Sequence, residues 1–436
     1  MQTLILVMIV VATTFEYLSK GDGWGRFGFL PREASYLGEL LGGVALLYVV
    51  FAGTRNRFRY VRPAYWFMFG ALLLTILAGV VLNRVEPGPM FAGIRTYLRA
   101  IPWFFIGAVV ASSETDLRKQ LRLLLAIALI QLPLAVEQRM HGFGGEMGAI
   151  SYTGDATTGT FIISSVLSLF LICCMCMLVA FLIRKRISTG QFLLLFPALL
   201  IPTLINETKG TLVFLPLGLI VTFLAAADPR RRIRALLAAS GLVILVGAVF
   251  IPVYDFFGKE SNPGIVEFMT NPERSEEYLR RDVEIGSQTE TPAGRLDSVV
   301  VPLRELSTDP SLLIFGYGIG NVSESALGIH YTGEQFHRFR LFMTIAFARI
   351  TLELGLLGML LVFMLMLSIY SDSLRVARLD QGVLSAVAAG MAGATVVVLV
   401  SIVYKDLTGQ ISMSFLFWYF AGLIAAQRMR IAAPSR

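Results

Sequence analysis

The residues of this 436-residue chain that could do chemistry concentrate in one polar segment, residues 255–340. This segment carries acidic and basic side chains together, punctuated by Pro, Gly, Asn and Ser, and it holds two of the three histidines, His330 and His337. Guanidinium groups bind anions, and imidazole titrates near neutral pH. Because the sequence before and after it is apolar, we expect the segment to help build an active site at one face of a helical assembly.

A second polar motif, Asn206-Glu207-Thr208-Lys209-Gly210, separates the apolar stretches 190–206 and 210–227 with almost no loop. Charged residues so close to a membrane boundary are costly unless they are paired or functional. Glu207 and Lys209 are therefore candidate site residues. The alternative is a short turn whose charged side chains reach the lipid headgroups.

Arg349 and Glu353 are the third feature, because they stand four residues apart in an apolar sequence. This spacing places both on one helix face, where they can pair. The alternative is that they face a polar cavity. Lys405 and Asp406, at the last turn before the final apolar stretch, are predicted to be solvated.

We predict no metal and no cofactor. The sequence has no H-E-x-x-H motif, and His330 and His337 are seven residues apart without an obvious third ligand. Cys173, Cys174 and Cys176 lie within an apolar stretch, which favours small packing residues over a disulfide framework.

The composition predicts an all-α polytopic membrane protein. Hydrophobic residues make up 56% of the chain and charged residues 15%, and the mean hydropathy is +0.70. That is too apolar for a soluble globule of this length. A helix needs about 20 apolar residues to cross the hydrocarbon. The twelve candidate spans are 1–16, 36–53, 63–83, 98–112, 119–136, 159–183, 190–206, 210–227, 233–254, 341–370, 382–404 and 408–427.

These spans divide the chain into residues 1–254 with nine helices, a loop at 255–340, and residues 341–436 with three helices. The stretch 341–370 is too long for one straight span, so we expect it to begin as a surface helix. Within the loop, Asn271-Pro272-Glu273 predicts a helix start, with an N-cap, Pro at the first position and acid in the first turn. Polar and amphipathic helices are predicted at 273–284 and 293–306.

The basic residues indicate the sidedness of the chain, whose net charge is +7. With both termini in the cytoplasm, the inside loops hold 19 Lys and Arg residues and the short outside loops hold 9, as the positive-inside rule requires. Twelve spans with this parity place 255–340 on the outer face. The basic excess is therefore a topology signal, and no nucleic-acid partner is predicted.

Three separated stretches resemble one family, the bacterial O-antigen ligase and polysaccharide polymerase superfamily. The run 206–212 is similar to the family's outer turn, in which Arg or Lys precedes a small residue. Gly294-Arg295 with the glycine-rich run 309–321 is similar to its G-R helix and following turn. Leu352–Gly358 is similar to the l-E-l-G-l-x-G opening of the helix after the large outer loop. The resemblance covers residues 150–370 of the chain.

The resemblance implies a metal-independent, inverting glycosyltransferase of polysaccharide biosynthesis in the bacterial inner membrane. It would move a glycan from undecaprenyl diphosphate to a sugar hydroxyl on the periplasmic face. Fixed cations can stabilise the departing diphosphate in place of a metal ion. Expected partners are the lipid-linked oligosaccharide, a glycan or lipid-linked acceptor, membrane lipids and other polysaccharide assembly proteins.

The same resemblance assigns roles to individual residues. His337 is the candidate to orient or deprotonate the acceptor hydroxyl. The side chains expected to bind the diphosphate are Lys209, Arg295 and one of Arg280 and Arg281. The expected supporting residues are Glu207, Arg349 and Glu353.

One departure from the family pattern separates the candidate activities. Ligases usually carry a histidine shortly before the l-E-l-G motif, but Thr344 stands near that offset and His337 lies further upstream. An insertion that brought His337 into that place would keep the ligase pattern; without one, the departure favours an O-antigen or exopolysaccharide polymerase over an O-antigen ligase that transfers to lipid A core. Outside the family, the rivals are a non-catalytic scaffold and a twelve-helix secondary transporter, in which two repeated halves are expected.

Overall fold

The computed structural model of the protein describes most of the chain. The described residues are 2–18, 36–56, 58–110, 113–141, 143–144, 150–151, 157–161, 163–257, 264–281, 283–287, 289, 291–325, 328–406 and 410–432. They form an all-helical protein apart from one pair of two-residue strands, β1 (Phe143–Gly144) and β2 (Ile150–Ser151), which pair antiparallel.

Eighteen α-helices run through the described residues. In chain order they are α1 (Gln2–Leu18), α2 (Leu37–Asn56), α3 (Pro63–Leu82), α4 (Pro87–Leu98), α5 (Ile101–Val109), α6 (Glu114–His141), α7 (Ser164–Ile183), α8 (Thr189–Ile205), α9 (Thr211–Ala226), α10 (Arg232–Phe257), α11 (Ile265–Thr270), α12 (Pro272–Leu279), α13 (Asp297–Leu306), α14 (Pro310–Phe315), α15 (Phe336–Phe339), α16 (Ala346–Leu379), α17 (Val383–Ser401) and α18 (Ile411–Ala432).

Seven of these helices are long and apolar enough to cross a membrane: α2, α3, α6, α7, α10, α16 and α17. They correspond to seven of the twelve predicted spans, so the prediction of an all-helical membrane protein is confirmed at this coarser level. The predicted spans 1–16, 190–206 and 210–227 are the shorter apolar helices α1, α8 and α9. The span predicted at 408–427 falls in α18, which has 22 residues.

The predicted span 98–112 has a different structure. Within its described residues the structure has only the 9-residue α5, which is separated by Arg99 and Ala100 from the 12-residue α4 that ends at Leu98. A nine-residue helix is about 13 Å long, less than half the hydrocarbon thickness. One reason is local, since Pro102 begins a new helix, and the other is tertiary, since Gly107 packs against the backbone of α18.

Helix α16, the first of the last three long helices, is interrupted within its length. The surface-helix expectation for 341–370 is replaced by a start at Ala346 and an interruption at Gly355, where φ is 67°. Gly316 packs directly against this break, and Tyr317 N donates to Leu352 O at 2.6 Å. Asn83, at the end of α3, donates to Gly316 O at 2.9 Å. The glycine-rich turn of the loop is therefore a packing joint between α3 and α16.

The two ends of the helical bundle differ in character. One end carries the loop helices α11 to α15 and the charged turn between α8 and α9. At the other end, Asp372 accepts from Arg62 and Arg428, and Arg184 donates to Ala377 O. Three arginines predicted to lie inside, Arg62, Arg184 and Arg428, thus lie at the end opposite the loop.

One predicted start of a loop helix is confirmed, but the predicted bounds of both loop helices differ from those in the structure. Asn271 Oδ1 accepts from Glu273 N at 3.1 Å, which confirms the predicted N-cap. The helix it begins ends at Leu279 rather than at residue 284, and the second loop helix begins at Asp297 rather than at residue 293. Residues 294–296 instead pair backbone to backbone with residues 278–281, and Ala293 N donates to Leu341 O.

Candidate functional site

The turn between α8 and α9 is rigidly held. Asn206 is fully buried and donates through Nδ2 to Ser164 O at 2.9 Å and to Ser168 Oγ at 2.7 Å. Tyr254 donates its hydroxyl to Glu207 O at 3.1 Å. These bonds fix the backbone just before Lys209, so the position of the lysine is set by the bundle.

Glu207 does not reach the headgroups. Its carboxylate is 2% exposed and forms an ion pair with Arg139, at the end of α6. Its backbone is left-handed, with φ of 54°. A buried carboxylate is stable only when it is paired. The ion pair of Glu207 with Arg139 therefore connects the turn to α6.

Lys209 and Arg295 meet over shared aromatic rings. Lys209 Nζ lies 4.7 Å from the centroid of Phe268 and 5.8 Å from that of Tyr278. The Arg295 guanidinium lies 5.6 Å from Tyr278 and 5.4 Å from Tyr404. We call these five residues the cation–aromatic cluster.

Four segments far apart in sequence build the cation–aromatic cluster. Arg295 N donates to Tyr278 O at 3.2 Å, which sets the arginine beside its ring. Tyr404 follows α17, and its hydroxyl oxygen accepts from Gly210 N at 3.2 Å. Burial raises the pKa of Tyr404 above its ordinary value, so the phenol stays neutral and its ring can face a cation.

Arg295 also keeps unused donor capacity. Its Nη1 is buried and makes no hydrogen bond within the described part of the chain, and no carboxylate there forms an ion pair with it. A buried, unsatisfied guanidinium N–H costs free energy that an anionic ligand would recover. The cluster can therefore bind an anion such as a diphosphate.

The other sequence candidates make no cation–ring contact with the cluster in the described structure, although Arg281 O accepts from Gly294 N at 3.3 Å, beside Arg295. Arg280 is exposed at the end of α12, and Arg281 pairs with Glu277 at 2.7 Å. His337 is exposed on α15 with its ring against Phe336, and no contact among the described residues joins it to Lys209 or Arg295. The role of His337 as the base for the acceptor hydroxyl stays a prediction. Diphosphate binding by Arg280 or Arg281 stays a prediction as well.

Thr344 lies beside the chain segment that contains Tyr404. Its carbonyl accepts from Asp406 N at 3.0 Å, two residues beyond Tyr404. Its Oγ1 is buried without a hydrogen bond in the described structure. Thr344 thus places a buried hydroxyl beside the 402–406 turn.

Arg349 and Glu353 are not each other's main partners. Arg349 forms a salt bridge of 2.8 Å with Asp406, so the prediction that Asp406 is solvated is wrong: its side chain is 13% exposed. Glu353 is buried and accepts from Ser323 Oγ at 2.6 Å. Both face a polar cavity of about 230 Å³, the alternative that the sequence left open.

Sequence reasoning missed the aromatic half of the site. Phe268, Tyr278 and Tyr404 carried no motif, and an aromatic residue in a polar loop is common. Arg139 was also missed as the partner of Glu207. The usable signal was the cost of a carboxylate at the membrane boundary, which requires a cation somewhere in the fold.

Metal coordination has no visible basis in the described ranges, which contain no group of three or more His, Cys, Asp or Glu side chains that could hold an ion. Comparison with known proteins adds no family: no protein-family model matches the sequence, and no curated protein is significantly similar to it.

Proposed function

We propose that this protein is a membrane glycosyltransferase that moves a glycan from undecaprenyl diphosphate to a sugar hydroxyl, acting as an O-antigen or exopolysaccharide polymerase. The observation that carries the proposal is the meeting of Lys209 and Arg295 over the Tyr278 ring. The two residues come from separate motifs of the resemblance, and the fold brings them to one place. An O-antigen ligase is the alternative, and Thr344 at the family's histidine position favours the polymerase.

In the proposed reaction, fixed cations stabilise the diphosphate as it leaves. The acceptor oxygen attacks the anomeric carbon from the side opposite the diphosphate, the carbon–oxygen bond to the diphosphate breaks, and the diphosphate leaves with that electron pair. The acceptor proton passes to a base, for which His337 is the candidate. Lys209 and Arg295 stabilise the negative charge that grows on the leaving group.

The aromatic rings surround these cations with a less polar environment than water. Phe268 and Tyr278 exclude water from one side of Lys209, which strengthens its attraction to a phosphate oxygen. The apolar bundle beneath supplies a surface for a polyprenyl tail. The proposed setting is the bacterial inner membrane with both termini cytoplasmic and the loop periplasmic.

The test is polymer formation in a strain whose only copy of the gene encodes Lys209→Ala or Arg295→Ala. Removing one donor to a developing anion costs about 10²–10³ in rate, so we expect polymer to fall below detection while the protein is still found in the membrane. Arg304→Ala is the matched control, since Arg304 is an exposed arginine of the same loop. Near-normal polymer in the two cluster variants would overturn the proposal.

A further inference from the structure

A second site lies on the other side of the 402–406 turn from the cation–aromatic cluster. Tyr404 faces Arg295, whereas Asp406 reaches Arg349 in the polar cavity. This cavity lies between α4, the glycine-rich turn and the first segment of α16. Its polar lining comprises Arg95, Arg99, Ser323, Glu324, Arg349 and Glu353.

The arginines of the polar cavity already have counter-ions. Glu39 accepts from Arg95 at 2.7 Å and from Arg99 at 2.9 Å, and Asp406 pairs with Arg349 at 2.8 Å. The cavity therefore does not attract anions as the cluster does. Its guanidinium groups still carry N–H donors at fixed positions.

Glu353 supplies a buried acceptor. Its side chain is 1% exposed, and Oε1 is occupied by the Ser323 hydroxyl at 2.6 Å. The Tyr97 hydroxyl and the Gly320 N–H lie within hydrogen-bonding reach of this carboxylate, although Oε2 has no hydrogen bond of normal length and angle in the described structure. A buried carboxylate oxygen in this state favours a ligand that brings a hydroxyl donor.

An apolar chamber of about 150 Å³ adjoins the polar cavity. Thr96 lines both spaces, and Tyr97 lines the apolar one. The first segment of α16 presents Arg349 and Glu353 to the polar cavity and Ile350 and Leu354 to the chamber. One ligand with a polar head and an apolar chain would fill both.

We propose that these two spaces form a binding site for a lipid-linked sugar, with the sugar ring in the polar cavity and the chain in the apolar chamber. A neutral sugar offers many hydroxyl donors and acceptors, which match a fixed set of guanidinium donors and the Glu353 carboxylate. The polar cavity is far larger than the roughly 10–15 Å³ that one water requires. Where the proposed transfer holds, the bound sugar is the acceptor, and that identification rests on the proposed function.

The test is photolabelling of the full-length protein in nanodiscs with a dodecyl maltoside that carries a diazirine in its alkyl chain. We expect saturable labelling of α16 and α18 at the chamber, near Leu365 and Trp418. Dodecyl maltoside should compete at least tenfold better than maltose, which lacks the chain, and than dodecyl phosphocholine, which lacks the sugar.

Two variants probe the site in different ways. Glu353→Gln should weaken the labelling at least tenfold because it removes the charged acceptor, whereas Glu277→Gln, at an exposed carboxylate, should leave it unchanged. Ala92→Phe places a ring in the polar cavity without changing its charges, so it blocks the sugar even if the Glu353 variant folds poorly. Equal competition by dodecyl phosphocholine, or full labelling in the Ala92 variant, would overturn the inference.

The outcomes separate this inference from the proposed function. Lys209→Ala should abolish polymer formation but retain the sugar-dependent labelling. Labelling without any transfer activity in the natural protein would remove the proposed function alone. Transfer activity with labelling that ignores the sugar would remove this inference alone.

Discussion

At the scale of single residues, the cation–aromatic cluster depends on the ring that both cations share. Cation–π contacts contribute about 1 to 2 kcal/mol when partly desolvated. Replacing Tyr278 with Ala removes the ring between Lys209 and Arg295, and we expect transfer to slow by roughly 5- to 30-fold. Tyr278→Phe keeps the ring and should retain near-normal activity. The measurement is polymer yield at matched protein level, and equal loss in both variants would assign the effect to the hydroxyl.

The buried pair between Arg139 and Glu207 gives a stability prediction. Breaking a buried ion pair by removing one partner costs about 3–5 kcal/mol, because the other charge is left uncompensated. We therefore expect Glu207→Gln to lower the thermal midpoint of the detergent-purified protein markedly. The control is Glu277→Gln, which breaks the exposed pair with Arg281 and should cost at most about 1 kcal/mol. Equal midpoints for the two variants would contradict the structural role of Glu207.

At the scale of elements, the joint between the glycine-rich turn and the break in α16 positions both candidate sites. Gly355 has φ of 67°, and a Cβ there would strike the backbone of Ile314 and Phe315. The turn it contacts leads on to Ser323, which bonds Glu353. Movement of this joint would therefore displace the polar cavity and the loop helices together.

We predict opposite effects on stability for two glycine-to-alanine substitutions, one at this joint and one in a helix interior away from it. Gly355→Ala combines a strained backbone with a backbone clash, and strain at such a position alone costs of order 1–3 kcal/mol. Gly247→Ala, in the interior of α10 with open space around it, should stabilise by roughly 0.5–1 kcal/mol. Thermal midpoints of the purified variants test both, and a neutral Gly355 variant would show that the break can relax.

The sequence predicted this architecture unevenly, and the reasons are physical. Long apolar stretches and the Asn271 cap are local signals, so the main helices and a loop-helix start were found. The shortness of α5 within 98–112 depends in part on the packing of Gly107 against α18, which no local pattern reveals. The partners of Lys209 and Arg349 are equally non-local, because they come from segments that only the fold brings together.

At the scale of the whole molecule, the chain is polarised along its helices. The loop, the cation–aromatic cluster and the polar cavity lie at one end of the bundle. Arg62, Arg184 and Arg428 lie at the other, against the segment that contains Asp372 and Ala377. The positive-inside rule then predicts that the loop lies outside. A periplasmic donor can reach the cluster only in this orientation.

This orientation can be measured with single cysteines. After Cys173, Cys174 and Cys176 are changed to Ala, Ser307→Cys places a thiol on the exposed end of α13, and Thr189→Cys places one at the opposite end of the bundle, at the start of α8. We expect a membrane-impermeant maleimide to label the Ser307 variant in intact spheroplasts and the Thr189 variant only after lysis, because the bilayer shields the inner face. The reverse pattern would place the cluster in the cytoplasm, where a donor on the periplasmic face has no access to it, and the proposed transfer would be excluded whatever the cluster variants do.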